Sequence, residues 1–274
     1  MKLDEIGEWS EIKLEIIKEY AGVYTRILSK KKWCRGYAYI DAFAGAGRHL
    51  RKATGEFILG SPLNALLVKP PFTEYLYIDL DSKKVDELEK LAKDNQNVSI
   101  YRGDCNEKLV KNIFPGLTYQ TFKRALCFLD PYGLHLEWKT VEMAGKMKTI
   151  DIFINFSIMD MNRNVIHNDL SKTKKEDIAR MNAFWGDKSW QEILYRPQED
   201  LFGETHQVRK EDFKRLAIEY RRRLETVGGF KFVPEPILMK NSKNGPLYYL
   251  FFASPQQVAQ KIIVDIFDKY RERL

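Results

Sequence analysis

The sequence predicts an α/β protein built on a mostly parallel β-sheet. Two features of the chain up to Phe156 lead to this fold class: short apolar runs alternate with helical segments, and the runs are apolar throughout. Strands of this kind are typical of a parallel sheet that helices cover on both faces. Two further strands near the C-terminus are expected to form a hairpin, which gives seven strands in total.

The first predicted element is a helix that precedes the sheet. Apolar residues recur every three or four positions from Trp9 to Leu28, which is the spacing of a helix buried along one face. Lysines follow at 30–32, and cations suit the negative end of a helix dipole. We therefore interpret residues 1–36 as an N-terminal helical segment.

Strands and helices then alternate as far as Phe156. Ser61 and Pro62 are expected to start the first of these helices, because serine caps helix N-termini and proline fits the first turn. Ser82 is expected to cap the second helix. The predicted strands are 37–41, 75–79, 98–101, 125–129 and 151–156, and the predicted helices are 63–68, 83–93, 106–113 and 138–146.

The last part of the chain begins with a polar segment. Residues 157–208 are expected to be helical at best, and we assign them to a substrate-recognition insert. A basic helix, a hairpin with a turn at 241–245 and a final helix follow. We assign residues 1–274 to one domain. The predicted ranges after the insert are 212–224 and 256–270 for the helices and 230–239 and 247–252 for the strands.

Composition excludes some classes of protein and leaves others open. Hydrophobic residues make up 44% of the chain and charged residues 30%, which is ordinary for a globular protein, and no apolar run approaches the ~20 residues of a membrane span. The net charge of +7 favours a polyanionic partner without establishing one. The three cysteines form no CxxC pair, which predicts a reducing, cytoplasmic location. The four histidines have no ligand spacing, so we predict no metal.

The strongest signal for a ligand site follows the first strand. Asp41 ends that strand, and a loop of mostly small residues, 42–47, comes next. Glycine lets a ligand approach the backbone, and open α/β sheets bind ligands at the carboxyl ends of their strands. The next strands end in Asp79, which can accept both hydroxyls of a ribose, and Asp104, which can accept from an adenine amino group. The predicted residues of this adenosine pocket are Asp41, Phe43, Ala44, Gly45, Gly47, Asp79, Leu80, Asp104 and Cys105.

Two common nucleotide-binding patterns do not fit this loop. Asp79 lies 38 residues after Asp41, whereas a dinucleotide fingerprint places its acid about 20 residues on. The loop also lacks the GxGxxG pattern, which disfavours a nicotinamide or flavin enzyme. A P-loop is excluded because the chain has no Gly-Lys-Ser or Gly-Lys-Thr.

The second signal is Asp130-Pro131-Tyr132-Gly133, directly after the apolar fourth strand. A carboxylate and a backbone carbonyl can accept the hydrogens of a planar amine, while the tyrosine ring stacks on the base that carries it. A strand-ending turn with a surface tyrosine is the alternative interpretation. We assign Asp130, Pro131 and Tyr132 to catalysis and Gly133 to substrate binding.

Several basic segments could contact nucleic-acid phosphates. We take Arg48, in a predicted basic loop, and Asn162 with Arg163 as substrate-binding candidates. The arginines at 221–223 are more typical of a solvated helix face. The tryptophans of the insert could stack on bases, although we expect them to anchor the insert on the domain.

The order of these motifs resembles a class I, Rossmann-like S-adenosylmethionine-dependent methyltransferase. It is most similar to the three-Cys-motif partner (TcmP) family, over nearly the whole chain and including the C-terminal hairpin. The resemblance rests on Trp9 with Lys13-Leu14 and Tyr20, Asp41-Ala42-Phe43-Ala44-Gly45, Gly60-Ser61-Pro62, Tyr77-Ile78-Asp79, Phe128-Leu129-Asp130-Pro131-Tyr132-Gly133-Leu134, Met159-Asp160-Met161-Asn162-Arg163-Asn164 and Leu247-Tyr248-Tyr249-Leu250-Phe251-Phe252-Ala253-Ser254.

This resemblance implies S-adenosylmethionine as cofactor and S-adenosylhomocysteine as product. It places Asp41 and the glycine loop at the methionine end, Asp79 at the ribose and Asp104 at the adenine. The family name implies a radical-SAM protein with three cysteines as a candidate partner, and the cysteines of this chain are not that motif. Amino-directed nucleic-acid methyltransferases generally carry Asp/Asn-Pro-Pro-aromatic, whereas Asp130-Pro131-Tyr132-Gly133 is also similar to the Asp-Pro-Phe-Gly of tRNA guanine-N2 dimethylases. Adenine N6 is favoured as target, and guanine N2 stays open.

The resulting hypothesis is a cytoplasmic methyltransferase that acts on an exocyclic amino group of a nucleobase in DNA or RNA. The first alternative is a non-catalytic nucleic-acid-binding or adaptor protein, because fold does not imply function. The second is a small-molecule methyltransferase. Its activity would not respond to salt, whereas a nucleic-acid enzyme should weaken steeply as salt rises.

Overall fold

The computed structural model describes residues 4–199 and 205–273 of the chain. Within these ranges, no helix is long and apolar enough to cross a membrane. The strands are β1 (Glu5–Ile6), β2 (Gly36–Asp41), β3 (Arg48–Arg51), β4 (Phe57–Leu59), β5 (Glu74–Asp79), β6 (Val98–Arg102), β7 (Lys123–Leu129), β8 (Ile150–Phe156), β9 (Tyr195–Glu199), β10 (Thr205–Arg209), β11 (Ile237–Lys240) and β12 (Pro246–Ala253). The helices are α1 (Glu8–Leu28), α2 (Ser61–Leu66), α3 (Ser82–Ala92), α4 (Cys105–Lys108), α5 (Trp138–Met147), α6 (Ile158–Asp160), α7 (Lys175–Trp185), α8 (Ser189–Leu194), α9 (Phe213–Thr226) and α10 (Gln257–Arg271). The π-helical turns Leu109–Ile113 and Met161–Val165 extend α4 and α6, and 3-10 turns form at Phe114–Gly116 and Leu170–Lys172.

Seven strands form the central sheet in the order β6-β5-β2-β7-β8-β12-β11. The first five are parallel, whereas β12 runs antiparallel to both β8 and β11. The chain builds from β2 to one side through β5 and β6, and then returns to the other side with β7 and β8. This order confirms the predicted α/β class with a seven-stranded, mostly parallel sheet. It also creates a switch point between β2 and β7, where open α/β sheets bind ligands beyond the strand carboxyl ends.

Alternate residues of β2 belong to two apolar cores, one on each face of the sheet. Tyr37 and Tyr39 lie in the core that contains α1 and α10, whereas Ala38 and Ile40 lie in the core that contains α5 and α9. The N-terminal helix therefore packs on the sheet, and this packing brings its polar side chains close to the strand ends.

The segment after the glycine loop is a strand, so its prediction as a basic loop was wrong. β3 pairs in parallel with β1 and antiparallel with β4, which gives a small three-stranded sheet. Arg51 explains how a basic segment forms this strand. Its guanidinium lies 2.8 Å from the carboxylate of Glu11 and 2.6 Å from that of Glu56, so the charge is neutralised where the strands pair.

Two predicted helix N-cap residues were also wrong by one position. α2 begins at Ser61 and is preceded by Gly60 as its N-cap residue, so Ser61 does not cap this helix. α3 begins at Ser82, and the carboxylate of Asp81 caps it by accepting a 2.8 Å hydrogen bond from the backbone of Lys83.

In the last part of the chain, the insert contains two strands that were not predicted, and the first strand of the C-terminal hairpin is shorter than predicted. The expectation of helix at best for the insert was wrong, because β9 and β10 pair antiparallel within it. Their side chains are mostly exposed and polar, so no apolar alternation marks them in the sequence. Residues 200–204 of the insert lie outside the described residues. The strand predicted over 230–239 shortens to β11 because Pro234 and Pro236 have no N–H to donate to a sheet.

Candidate active site

The predicted strand-end carboxylates lie together at the carboxyl edge of the sheet. Asp41 ends β2 and is in register with Tyr77 of β5 and Phe128 of β7. Asp79 ends β5, and Asp130 follows β7 directly. The charges of Asp130 and Asp79 both act on the Asp41 carboxyl group. These three side chains therefore border the switch point between β2 and β7.

The glycine loop crosses the ends of three strands and is fixed there by its backbone. The N–H of Ala42 donates to the carbonyl of Phe128 at 3.0 Å, and that of Ala44 donates to the carbonyl of Ile78 at 2.9 Å. The N–H of Gly45 donates to Asp79 Oδ2 at 2.7 Å. Gly45 has φ +62°, and a Cβ placed on it would meet no atom within 4 Å. Open space thus lies directly against the loop backbone beside Asp79.

Asp79 and Asp104 are available as acceptors around this space. Asp79 also accepts a 2.8 Å bond from the backbone N–H of Asp81 at its Oδ1 atom. A carboxylate has about four lone-pair positions, so two backbone donors leave room for two ligand hydroxyls. Asp104 is exposed and uses Oδ1 to cap α4, with a 3.0 Å bond from the N–H of Glu107. Its second oxygen accepts no hydrogen bond from the described residues and can accept one from a ligand.

The remaining pocket candidates differ in their exposure. Leu80 is exposed beside Asp79, where its apolar side chain can cover a planar ring. Phe43 is half-buried against the core. Cys105 is buried as the first residue of α4, and burial raises the pKa of its thiol to about 12. Only the backbone of Cys105 is therefore suited to a contact with a ligand.

Asp41 is completely buried, and its carboxyl group has a raised pKa. The N–H of Phe43 donates to Oδ1 at 3.3 Å, whereas Oδ2 has no hydrogen-bond partner among the described residues. Burial raises the pKa of Asp41 from 3.8 to about 7, against the opposing effects of the Ser61 side chain and the Phe43 N–H. A carboxyl group with this pKa holds its proton, and is neutral, below about pH 7.

Asp130 is held by a lysine from the N-terminal helix. Lys13 Nζ lies 2.5 Å from Asp130 Oδ2, and the amide of Asn155 donates to Oδ1 at 2.6 Å. The Lys13 side chain is 8% exposed and that of Asp130 24%, so a ligand can reach the carboxylate more easily than the ammonium group. Lys13 Nζ also lies 5.1 Å from the centre of the Tyr248 ring. The carboxylate is consequently fixed in direction before any ligand arrives.

Sequence reasoning gave no role to Lys13 or His49. The signal for Lys13 was a lysine between apolar positions on the buried face of a helix. His49 lies on β3, its Nδ1 atom is buried without a hydrogen-bond partner among the described residues, and burial lowers its pKa. The charges of Lys13 and Asp130 also act on His49, so this neutral imidazole borders the same site.

The turn after Asp130 packs closely against the insert. Pro131 is buried, whereas Tyr132 is 89% exposed and free to stack on a planar group. Gly133 has φ +81°, and a Cβ on it would lie 2.9 Å from the carboxyl carbon of Asp160. Glycine is therefore required where this turn contacts α6.

The proposed substrate contacts lie on two separate elements. Arg48 is half-buried on β3, and Asn162 and Arg163 are exposed in the π-helical turn that follows α6. The tryptophans of the insert are buried, with Trp185 Nε1 donating to Ser189 Oγ at 2.9 Å and Trp190 Nε1 donating to Asn182 Oδ1 at 2.8 Å. They anchor the insert, as expected. Among the described residues, no group of three or more His, Cys, Asp or Glu side chains could hold a metal ion.

Comparison with known proteins gives a likeness of fold. No family model matches the chain, and no curated protein matches it in sequence. The solved structure of protein LPL1258 of Legionella pneumophila, described under the family name DUF519, aligns with a TM-score of 0.51 at 14% identity and covers 94% of this chain and 92% of that one. At this identity the likeness shows the fold alone, and it extends over nearly the whole chain.

Methyltransferases are among the other solved structures that resemble the chain. A putative S-adenosylmethionine-dependent methyltransferase from Listeria monocytogenes aligns at 11% identity and a TM-score of 0.42, over 87% of this chain and 99% of that one. The N-terminal domain of EvdMO1 with SAH bound aligns at 11% identity and a TM-score of 0.41, over 88% and 81%.

Proposed function

We propose that this chain is an S-adenosylmethionine-dependent methyltransferase that acts on an exocyclic amino group of a nucleobase, with adenine N6 favoured over guanine N2. One arrangement carries the proposal: Asp41, Asp79 and Asp130 surround a glycine loop at the switch point of the sheet. Cofactor and target group would meet between the loop and Asp130.

The donor and acceptor set suits S-adenosylmethionine. Asp79 has lone pairs left for ribose hydroxyls, and Asp104 has a free oxygen for the adenine amino group. The space against Gly45 admits the methionine part of the cofactor, and Asp41 directly precedes the loop that would hold it. When bound, this cofactor supplies a methyl group on a positively charged sulfur.

The Asp130 turn would present the amino group of the base. Asp130 accepts one N–H in the direction set by Lys13 and Asn155, the backbone carbonyl of Pro131 accepts the other, and the exposed Tyr132 ring stacks on the base. The nitrogen lone pair is then directed toward the methyl group. After transfer the nitrogen is positively charged and loses a proton readily, so most of the rate would come from positioning.

The charge of the chain favours a nucleic acid over a small molecule. The net charge is +7, Arg48 is half-buried on β3, and Arg163 is exposed. An exposed tyrosine is also suited to a base presented from outside rather than to a ligand in a closed cavity. A cytoplasmic location and a radical-SAM partner protein remain part of this proposal as the sequence suggested them.

Calorimetric titration of S-adenosylmethionine into the purified protein tests the cofactor assignment. We expect saturable binding that Asp79→Ala abolishes, because this variant removes the acceptor for both the ribose and the Gly45 N–H. Asp86→Ala is the matched control, since Asp86 is exposed on α3 and pairs with Arg102. Binding that survives Asp79→Ala would refute the assignment.

The absence of binding to the unmodified protein would instead favour the adaptor alternative. In that case the chain would bind nucleic acid without any methyl transfer. The salt dependence of the activity distinguishes the remaining alternative, a small-molecule methyltransferase. The activity of a nucleic-acid enzyme falls steeply between about 50 and 200 mM salt, whereas that of a small-molecule enzyme does not.

A further inference from the structure

A second surface of the sheet carries exposed aromatic rings together with cations. We call it the aromatic–basic patch and define it by Trp33, Arg35, Tyr119, Phe122 and Arg124. The three rings are 44%, 50% and 43% exposed, respectively. The patch lies at the amino-terminal ends of β2 and β7, and these strands place it about 20 Å from the candidate active site at their other ends.

Rings and cations alternate in direct contact across the patch. The Arg124 guanidinium lies 4.6 Å from the ring centre of Trp33 and 4.8 Å from that of Tyr119. Its Nη1 atom donates to the carbonyl of Lys123 at 2.7 Å, which fixes the group between the rings. The Arg35 guanidinium lies 5.3 Å from the ring centre of Phe122, and the two backbones are joined by a 3.0 Å hydrogen bond. The patch is therefore ordered before any ligand binds.

Phe122 is held in a conformation that its own packing does not explain. Its φ is +55°, a left-handed value that a bulky residue rarely adopts and that costs free energy. Core side chains can offset such strain by burial, but this ring is nearly half exposed. Strained residues of this kind cluster at ligand contacts, and here the strain directs a ring outward beside Arg35.

The cations of this region form no ion pairs with acids among the described residues, although the charge of Arg124 also acts on buried Asp151. Lys30, Lys31 and Lys32 are exposed directly before Trp33. Within the parts of the chain that the structure describes, none of these lysines forms an ion pair, and neither does Arg35 or Arg124. Five positive charges thus surround three exposed rings, which leaves the region with an excess of positive charge.

We infer that the aromatic–basic patch binds single-stranded nucleic acid. Successive bases can stack on the exposed rings, while the lysines contact phosphates. A partner protein would also be attracted to exposed rings, but five unpaired cations favour a polyanion. The inference does not depend on the proposed methyl transfer, because the patch lies at the opposite edge of the sheet.

Tryptophan fluorescence offers a direct test, since Trp33 is more exposed than the other four tryptophans. The full chain, without S-adenosylmethionine, is titrated with ten-nucleotide oligo(dT) and with oligo(U) of the same length. We expect quenching of Trp33 with at least one of them, and tighter binding of single strand than of a duplex of equal length. Fluorescence anisotropy of the labelled oligonucleotide gives the affinity independently.

Paired variants separate stacking from charge and from folding. Trp33→Ala should weaken binding about tenfold, whereas Trp33→Phe should keep most of the affinity but lose the quenching. Ile218→Ala, at an exposed apolar position on α9, is the control and should change neither. Circular dichroism melts verify that each variant is folded.

Three outcomes would overturn the inference. The first is the absence of quenching and of anisotropy change with both oligonucleotides. The second is binding that Trp33→Ala leaves unchanged in a folded protein. The third is equally tight binding of inorganic polyphosphate, which has charge but no bases. Failure of methyl transfer together with Trp33 quenching would leave this inference intact and refute only the proposed function.

Discussion

Lys13 Nζ lies 2.5 Å from Asp130 Oδ2, although the two residues belong to the first helix and to the turn after the fourth parallel strand. This ion pair joins the N-terminal segment to the candidate active site. The segment itself packs on the sheet face through the buried apolar side chains of α1. An acceptor fixed by a buried lysine and by Asn155 is oriented before a substrate arrives.

Lys13→Met should therefore reduce both stability and methyl transfer. The variant keeps the apolar stem but leaves the partly buried Asp130 carboxylate without its cation, which should cost about 2 kcal/mol of unfolding free energy. Urea denaturation measures this loss, and Lys18→Met, on the exposed face of the same helix, is the control. If the double variant Lys13→Met/Asp130→Asn were no more stable than the sum of the single variants predicts, the two residues would not be coupled.

The buried carboxyl group of Asp41 predicts a particular pH dependence of stability. Its pKa is raised from 3.8 to about 7, so between these values the folded protein holds a proton that the unfolded chain has released. Stability from this group is highest below pH 3.8 and falls as pH rises to about 7, by at most about 1.4 kcal/mol per pH unit.

Asp41→Asn should remove that contribution. Asp151 behaves in the same direction, because burial raises its pKa to about 6, so the variant should still lose this contribution up to about pH 6. Between pH 6 and 7 it should lose less stability than the unmodified protein does. Urea denaturation from pH 4.5 to 8 checks this, with Asp151→Asn as the matched control. A slope between pH 6 and 7 that is equal in Asp41→Asn and the unmodified protein would contradict the assignment.

Gly133→Ala should destabilise the protein more than an ordinary glycine substitution. The new Cβ would meet the Asp160 carboxyl group at about 2.9 Å and would also have to adopt φ +81°. Gly55→Ala, with φ +71° and no atom within 4 Å of the new Cβ, isolates the conformational strain. Thermal melts should place Gly133→Ala about 1–3 kcal/mol below Gly55→Ala, and equal melting temperatures would show that the turn tolerates a side chain.

Tyr132→Ala should affect substrate use and leave the fold unchanged. The side chain is 89% exposed, so its removal costs little stability, whereas the loss of base stacking should lower kcat/KM for nucleic acid by about ten- to a hundredfold. Tyr132→Phe retains the ring and should stay close to the unmodified enzyme. Equal kcat/KM for Tyr132→Ala and Tyr132→Phe would exclude stacking, and the affinity for S-adenosylmethionine should not change in either.

Much of this site could be predicted from the sequence because local features mark it. Asp41, Asp79 and Asp130 end apolar strands, and the carboxyl ends of parallel strands share one edge. Their proximity therefore followed from the fold class. The open space at Gly45 was expected from the glycine in the loop, and the exposure of Tyr132 from its place in a turn that follows a strand.

The contributions of other elements could not be predicted in this way. Lys13 reaches Asp130 across 117 positions of sequence, and only the packing of α1 on the sheet brings them together. His49 lies on β3, whose charged residues do not look like a strand in the sequence. This strand forms because carboxylates from two other segments, those of Glu11 and Glu56, neutralise Arg51. The aromatic–basic patch likewise joins Trp33 and Arg124 through the pairing of β2 with β7.

Transfer of a labelled methyl group from S-adenosylmethionine to RNA and DNA, compared between the unmodified protein and Asp130→Asn, tests the central claim most directly. We expect incorporation into nucleic acid, identified by nucleoside mass spectrometry as N6-methyladenine or N2-methylguanine, and a loss of at least about a hundredfold in Asp130→Asn with cofactor binding retained. Full activity of Asp130→Asn, or cofactor binding by the unmodified protein without transfer to any nucleic acid, would contradict it.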